Sequence, residues 1–130
     1  MDMYTEIILD YYEYPRNFGT IDNAQIKSKD FNPICGDEIE MHILLEGEII
    51  KEIKYSGHGC AISQASASMV TERLVGKNIK SVIELNRNDV LEMLGIEVSP
   101  ARLKCAMLGL KVVKLGAYSH MGMDGDSTDG

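Results

Sequence analysis

Three cysteines and one aspartate in this 130-residue chain sit where metal or sulfur chemistry would want them. The first cysteine lies in Asn32-Pro33-Ile34-Cys35-Gly36-Asp37. Asn-Pro and Cys-Gly-Asp are turn sequences, so Cys35 is expected on a tight loop before a strand. Asp37 follows with only glycine between, so a thiolate and a carboxylate can converge there on one cation. The plainer alternative is a turn-forming aspartate beside a cysteine that packs as a small hydrophobe. The second cysteine lies in Ser56-Gly57-His58-Gly59-Cys60-Ala61-Ile62-Ser63, between a strand end and a helix start. A thiolate at a helix N-terminus is favoured by the unpaired N–H groups and the dipole, and the glycines allow close backbone approach. The alternative is a glycine-rich turn around an inert thiol. A phosphate-binding loop fits less well, because the third glycine and the lysine of such motifs are missing. The third cysteine, in Ser99-Pro100-Ala101-Arg102-Leu103-Lys104-Cys105-Ala106, is expected on the second turn of a helix. Arg102 and Lys104 are close enough in sequence to favour its thiolate; the alternative is a core-facing cysteine.

Together the three carry more than each alone. All lie in loops or near helix starts, and with Asp37 they make a four-ligand set of three sulfurs and one oxygen. Such a set suits tetrahedral zinc, or iron in a sulfide-bridged cluster, and ligand type does not separate the two. There is no C-x-x-C pair to suggest a thioredoxin-like site or a zinc finger. His58 is two residues from Cys60, but a solvated loop histidine is its simpler reading. His42 falls on a strand and is expected to be exposed; His120 is at the edge of the tail. No Ser/His/Asp arrangement or paired carboxylates point to acid–base catalysis.

The elements that must position these residues are legible from periodicity. Residues 4–14 form a helix with Tyr4, Ile7, Ile8 and Tyr11 on one stripe, ended by Pro15, and 16–19 form a turn. Residues 24–31 are a weak strand. Residues 38–46 alternate, with Ile39, Met41, Ile43 and Leu45 on one face, and 48–55 return as a hairpin. A helix over 62–75 carries Ile62, Ala65, Met69, Val70 and Leu74 and stops at Gly76. A short helix over 81–85 is followed by one capped at Asn88-Asp89 and stopped by Gly95. Ser99-Pro100 opens the last helix with a capping hydroxyl and a first-position proline, and Leu103, Ala106, Met107, Leu110 and Val113 make its apolar face. This order implies an α+β fold, a small antiparallel sheet covered by helices. The domain is expected over 1–120, with the Gly-, Asp- and Ser-rich stretch 121–130 as a disordered tail.

A net charge of −7, from 13 basic and 20 acidic residues, argues against nucleic acid as a partner. No apolar run approaches the ~20 residues of a membrane span. The first residues show neither a basic region nor a signal-peptide pattern, so a cytoplasmic protein with reduced thiols is expected.

Asn32-Pro33-x-Cys35-Gly36-Asp37, Gly57-x-Gly59-Cys60-Ala61-Ile62-Ser63 and Lys104-Cys105-Ala106 together resemble the cluster-assembly scaffold family that includes IscU, SufU and the N-terminal domain of NifU. The opening Tyr4 through Pro15-Arg16-Asn17 and the segment Ser66-Ala67-Ser68-Met69-Val70-Thr71-Glu72 are similar too, so the likeness covers about residues 4–117. It implies a three-stranded antiparallel sheet packed with about five helices, as in SufE/NifU-like folds. It implies a scaffold, without turnover of its own, for a transient 2Fe–2S cluster ligated by Cys35, Cys60 and Cys105. Asp37 would be a fourth ligand or a tuner of release. A cysteine desulfurase would deliver persulfide sulfur to Cys35 or Cys105, other donors would supply iron and electrons, and apo-proteins would receive the cluster. Two departures stand out. IscU-type members carry histidine where this chain has Lys104; SufU-type members share the lysine but carry an insertion that the 45 residues from Cys60 to Cys105 are too few to hold. The stretch Val98-Ser99-Pro100-Ala101-Arg102 also replaces the chaperone-binding Leu-Pro-Pro-Val-Lys. The resemblance therefore carries a second function, a zinc-dependent sulfurtransferase of the SufU kind.

Overall fold

The computed structural model describes residues 3–122, so nearly all of the expected tail lies outside the described residues. In chain order the elements are α1 (Met3–Glu13), β1 (Ile26–Asn32), β2 (Asp37–Glu46), β3 (Ile49–His58), α2 (Ala61–Leu74), α3 (Lys80–Glu84), α4 (Arg87–Leu94) and α5 (Pro100–His120). The strands form one antiparallel sheet in the order β1-β2-β3, giving the expected α+β fold. Among the described residues, no helix is long and apolar enough to cross a membrane.

The alternation of β2 places Ile39, Met41, Ile43 and Leu45 in the core. The returning strand does not alternate cleanly, and a bulge accounts for this. The register shifts between Leu44 and Leu45, so Leu45 faces Ile50 while Ile43 faces Ile53 and Met41 faces Tyr55. An extra residue at this point lets Ile50 and Ile53 both turn inward despite their odd spacing. β3 also runs three residues beyond the expected end, because Gly57 and His58 stay paired with Ile39 and Glu38.

Two helices are buried more widely than their stripes imply. α2 is buried from Ser63 to Thr71, and α5 over most of Cys105 to Tyr118. α2 packs against α1, α4, α5 and β3, and α5 against β1, β2 and the other late helices, so over their middles only a narrow stripe of α5 through Lys104 and Lys111 meets solvent. The buried hydroxyls find carbonyls: Ser66 donates to Ala106 O at 2.7 Å, and Thr71 to Ser68 O at 2.7 Å. A β-carbon on Gly109 would lie 3.0 Å from Ala67 Cα, which shows how closely α2 and α5 approach.

Three local expectations are corrected. α4 is capped by Asn86 rather than Asn88-Asp89: the Asn86 side chain accepts from Asp89 N and the Asp89 carboxylate accepts from Asn86 N, both at 3.0 Å. This reciprocal box satisfies two otherwise unpaired donors, which a cap starting at Asn88 would forgo. Ser99 precedes α5, but its hydroxyl makes no capping bond, leaving Pro100 as the start signal. His42 is buried, with 6% exposure. The segment joining α1 to β1 folds over it: Ile21 N–H donates to His42 Nδ1 at 2.9 Å, and His42 Nε2 sits 2.7 Å from Glu40 Oε2. An accepting Nδ1 requires the proton on Nε2, which then donates to Glu40. The same segment is clamped by Gln25, which bonds both Leu45 N and Leu45 O. His42→Leu should therefore lower the unfolding free energy by about 1–3 kcal/mol, since it orphans a buried N–H. Urea denaturation checks this, and an unchanged midpoint would contradict it.

The turn at 16–19 is tied to three elements, α1, α2 and β3. Arg16 N donates to Ser68 Oγ at 2.8 Å, and the Arg16 guanidinium meets Asp10 at 2.6 Å while lying 4.0 Å over the Tyr11 ring. Tyr55 N donates to Asn17 O at 2.9 Å and Gly19 N to Tyr55 O at 2.8 Å, so this segment pairs with the outer edge of β3.

Candidate metal centre

Cys35 sits in the four-residue loop between β1 and β2 and is exposed. Asn32, at the end of β1, shapes that loop twice: its side chain accepts from Ile34 N at 3.2 Å, and its carbonyl accepts from Gly36 N at 2.9 Å. Gly36 takes φ +74, which closes the turn. Phe31 just before the loop and Ile34 within it are exposed by 59% and 80%. Asp37 is the first residue of β2 and is fully buried.

Cys105 projects from the second turn of α5 and is also fully buried. Its Sγ lies 3.1 Å from Cys35 Sγ, and Asn32 Nδ2 approaches it at 3.9 Å. The ligand atoms of Cys35, Asp37 and Cys105 all lie within 4.8 Å of one another, so these three could hold a metal ion. The structure thus joins residues from a loop, a strand start and a helix, 70 positions apart in the chain.

Cys60 is placed differently. It caps the N-terminus of α2, is half-buried, and its sulfur is outside that close trio. Its backbone N–H instead donates to Asp37 Oδ1 at 2.8 Å. This hydrogen bond needs Gly59, where a β-carbon would lie 2.2 Å from the same oxygen. The other oxygen, Asp37 Oδ2, is buried and makes no hydrogen bond among the described residues. Burial first, then the neighbouring Asp37 carboxylate and the Cys35 and Cys60 sulfurs, push the Cys105 thiol well above its usual range. Arg102 and Lys104 do not offset this, because the helix carries both to solvent. His58 is exposed at the end of β3, and His120 at the end of α5.

The donors fit a cation on two counts. An unpartnered buried carboxylate oxygen costs free energy that a positive ion would recover, and such an orphan is rare in native structures. Burial does most to hold Cys105 protonated; the neighbours that add to it are carboxylate and thiol groups, and a bound cation reverses their share.

A profile for the NifU-like N-terminal domain matches residues 3–125. The chain belongs to the NifU-like N-terminal domain family. Within this family it is 32% identical to the zinc-dependent sulfurtransferase SufU of Bacillus subtilis, over 92% of each chain. It is 34% identical to the iron–sulfur cluster assembly scaffold protein IscU of Thermotoga maritima, over 86% of this chain and 90% of that one. Among solved structures it is similar to the SufU protein of Fervidobacterium islandicum AW-1, with a TM-score of 0.75 and 33% identity over 86% of this chain and 94% of that one. A NifU-like N-terminal domain from Brucella abortus shares the fold at a TM-score of 0.76 with 14% identity, covering 94% and 96%. The alignment with the Bacillus relative spans 137 residues, more than the 130 present here, so that relative carries residues without a counterpart in this NifU-like domain.

The contact between Asn32 and Cys105 is the feature of the site that sequence reasoning missed. Its signal was present in Asn32-Pro33, but an Asx turn does not show which distant sulfur the amide will meet.

Exposure sets an order for thiol chemistry. Under anaerobic, metal-free conditions, alkylation should label Cys35 first, Cys60 next and Cys105 last, as read by peptide mapping over time. Early labelling of Cys105 would show that the loop does not cover it.

Proposed function

We propose that this chain is a scaffold on which a 2Fe–2S cluster is built and then passed to apo-proteins. Cys35, Cys60 and Cys105 supply sulfur ligands and Asp37 supplies the fourth, an oxygen. The observation that carries this reading is the buried Asp37 carboxylate, which gathers with two thiols and leaves Oδ2 without a hydrogen bond among the described residues. The chemistry of the set agrees with a cargo that must leave. Carboxylate is a harder base than thiolate, so three sulfurs and one oxygen hold iron less firmly than four thiolates. Sulfur would come as persulfide from a cysteine desulfurase, with iron and electrons from other donors. The free thiols among the described residues suit a reducing compartment such as the cytoplasm. We assign the scaffold to residues 1–120 and leave 121–130 as a tail.

A second reading, a zinc-dependent sulfurtransferase, is favoured by Lys104 and by the Bacillus relative. There zinc would hold the thiolates, and one cysteine would leave it to accept sulfur. Both readings meet in one experiment. Iron, zinc and acid-labile sulfide are measured on anaerobically purified protein, with its visible spectrum, before and after incubation with desulfurase, cysteine and iron. Equal iron and sulfide with a sulfide-to-iron absorption band, lost in Cys60→Ala, supports the scaffold. Firmly held zinc that blocks cluster formation, while desulfurase turnover is still stimulated, supports the sulfurtransferase.

A further inference from the structure

Cys105 Sγ lies 3.1 Å from Cys35 Sγ. A disulfide needs about 2.05 Å, so the sulfurs must close by only about 1 Å. Cys105 is fixed on a buried helix. Cys35 is on an exposed loop hinged at Gly36, whose φ is +74 and around which there is open space. The pair thus combines one immobile sulfur with one that can move toward it. Exposure also separates their roles: a sulfur donor from outside can reach Cys35, whereas Cys105 is covered.

We propose that Cys35 and Cys105 act as a dithiol that reduces persulfide sulfur to sulfide with their own electrons. This rests on the reading of Cys35 as a persulfide acceptor. Once Cys35 carries a sulfane sulfur (Sγ–Sδ–H), the sulfur of Cys105 still abuts Sγ, the inner atom. Its approach occupies the inward side of Sγ and leaves the added Sδ toward solvent. Attack by Cys105 Sγ on Cys35 Sγ forms the Cys35–Cys105 disulfide and breaks the Sγ–Sδ bond. The Cys105 proton passes to the adjacent Asp37 carboxylate as the new bond forms, hydrosulfide leaves from Sδ and is protonated by solvent, and Asp37 returns its proton to solvent, so one persulfide and one thiol become one disulfide and one hydrogen sulfide. The two thiol sulfurs are oxidised by two electrons in total, and the sulfane sulfur gains both. Transfer of the sulfane atom onto Cys105 would instead require attack on Sδ, the atom farther from it. A reduced dithiol of another molecule must reopen the disulfide before a second round, by ordinary thiol–disulfide exchange. The reaction belongs to the metal-free chain, since a bound metal occupies both sulfurs.

The test uses the full-length chain, reduced, stripped with a chelator and kept anaerobic without small thiols. A part of the same preparation is first titrated with Co(II), which reports metal binding alone; absence of binding there defeats the scaffold reading and leaves the dithiol question open to its own data. The remainder is treated with sodium polysulfide, desalted, and examined by intact mass and non-reducing peptide mapping. The wild type should end two hydrogens lighter than its reduced form, with a Cys35–Cys105 linked peptide and no retained sulfane sulfur. Cys105→Ser should keep one added sulfur on Cys35. With desulfurase and cysteine replacing polysulfide, the wild type should release one sulfide per chain, and Cys105→Ser should release none. A persulfide that persists on wild-type Cys35, a sulfane sulfur found on Cys105, or a disulfide that includes Cys60 would overturn the proposal. Should Cys105→Ser fail to fold by circular dichroism, the wild-type mass and peptide map decide alone.

Discussion

Asp37→Ala should lengthen the lifetime of a reconstituted cluster on the order of tenfold. Two effects compete, and the structure shows how to separate them. Among the described residues Asp37 Oδ2 makes no hydrogen bond, so it is the oxygen available to a metal. Oδ1 is committed to the Cys60 N–H and so helps to fix the start of α2. Removing the side chain takes away the hard ligand and with it the easiest point of release, but it also removes the bond at the helix start, worth about 1 kcal/mol. Asp37→Asn separates the two. It retains an oxygen for the Cys60 N–H and lacks the anionic charge. If ligand hardness governs release, both variants hold the cluster longer, with Asn the clearer case. The decay of the visible absorption on exposure to a chelator measures it. Faster loss in both variants would mean that Asp37 is a retaining ligand, and would defeat the argument that it weakens the site.

The second large effect is expected at two glycines only two residues apart, with different consequences. At Gly57, φ is +140 and a β-carbon would fall 2.0 Å from Glu38 O and 2.9 Å from Glu38 C. Those atoms are the main chain of the paired strand β2 and cannot give way without opening the sheet. Gly57→Ala should cost about 4 kcal/mol or more of folding free energy, at the severe end of single substitutions. At Gly59, φ is +147 and the added carbon would meet Asp37 Oδ1 at 2.2 Å and Asp37 Cα at 2.9 Å. The obstacle here is the site itself. Gly59→Ala should cost roughly 2–3 kcal/mol through strain and the lost Cys60 contact, and should weaken Co(II) or zinc binding by at least about tenfold by displacing Asp37. Thermal unfolding and competitive metal titration on the two variants distinguish these outcomes. Equal damage to stability and equal sparing of metal affinity in both would contradict the placement of Asp37 against Gly59.

The elements that carry the site were legible because their signals are local. Asn32-Pro33 and Cys35-Gly36-Asp37 specify a turn whatever the rest of the chain does, and the alternation of 39–45 specifies a buried face. What stayed hidden depended on partners far away in sequence. His42 looks like an outward strand residue until the connection through Ile21 folds over it. The serines of α2 look like a polar face until α5 brings Ala106 O within reach of Ser66. The bulge at Leu44/Leu45 is set by the need to bury Ile50 and Ile53 together, which neither strand shows alone. The cysteines followed the same rule. Their separate settings could be read, but the approach of Cys35 to Cys105, and the distance of Cys60 from that pair, are products of packing.

The pairing of residues 17–19 with Tyr55 has a consequence for how this molecule can be approached. A sheet that ends in a bare strand offers a template onto which any extended peptide can add, by intent or by accident. Here the chain has laid its own backbone along part of β3 and used up the groups that a visiting strand would need. A visitor seeking that stretch of the rim would first have to peel away Asn17, Phe18 and Gly19, with Arg16 and its bond to α2 behind them. Along those residues, recognition is thereby pushed from main chain to side chain.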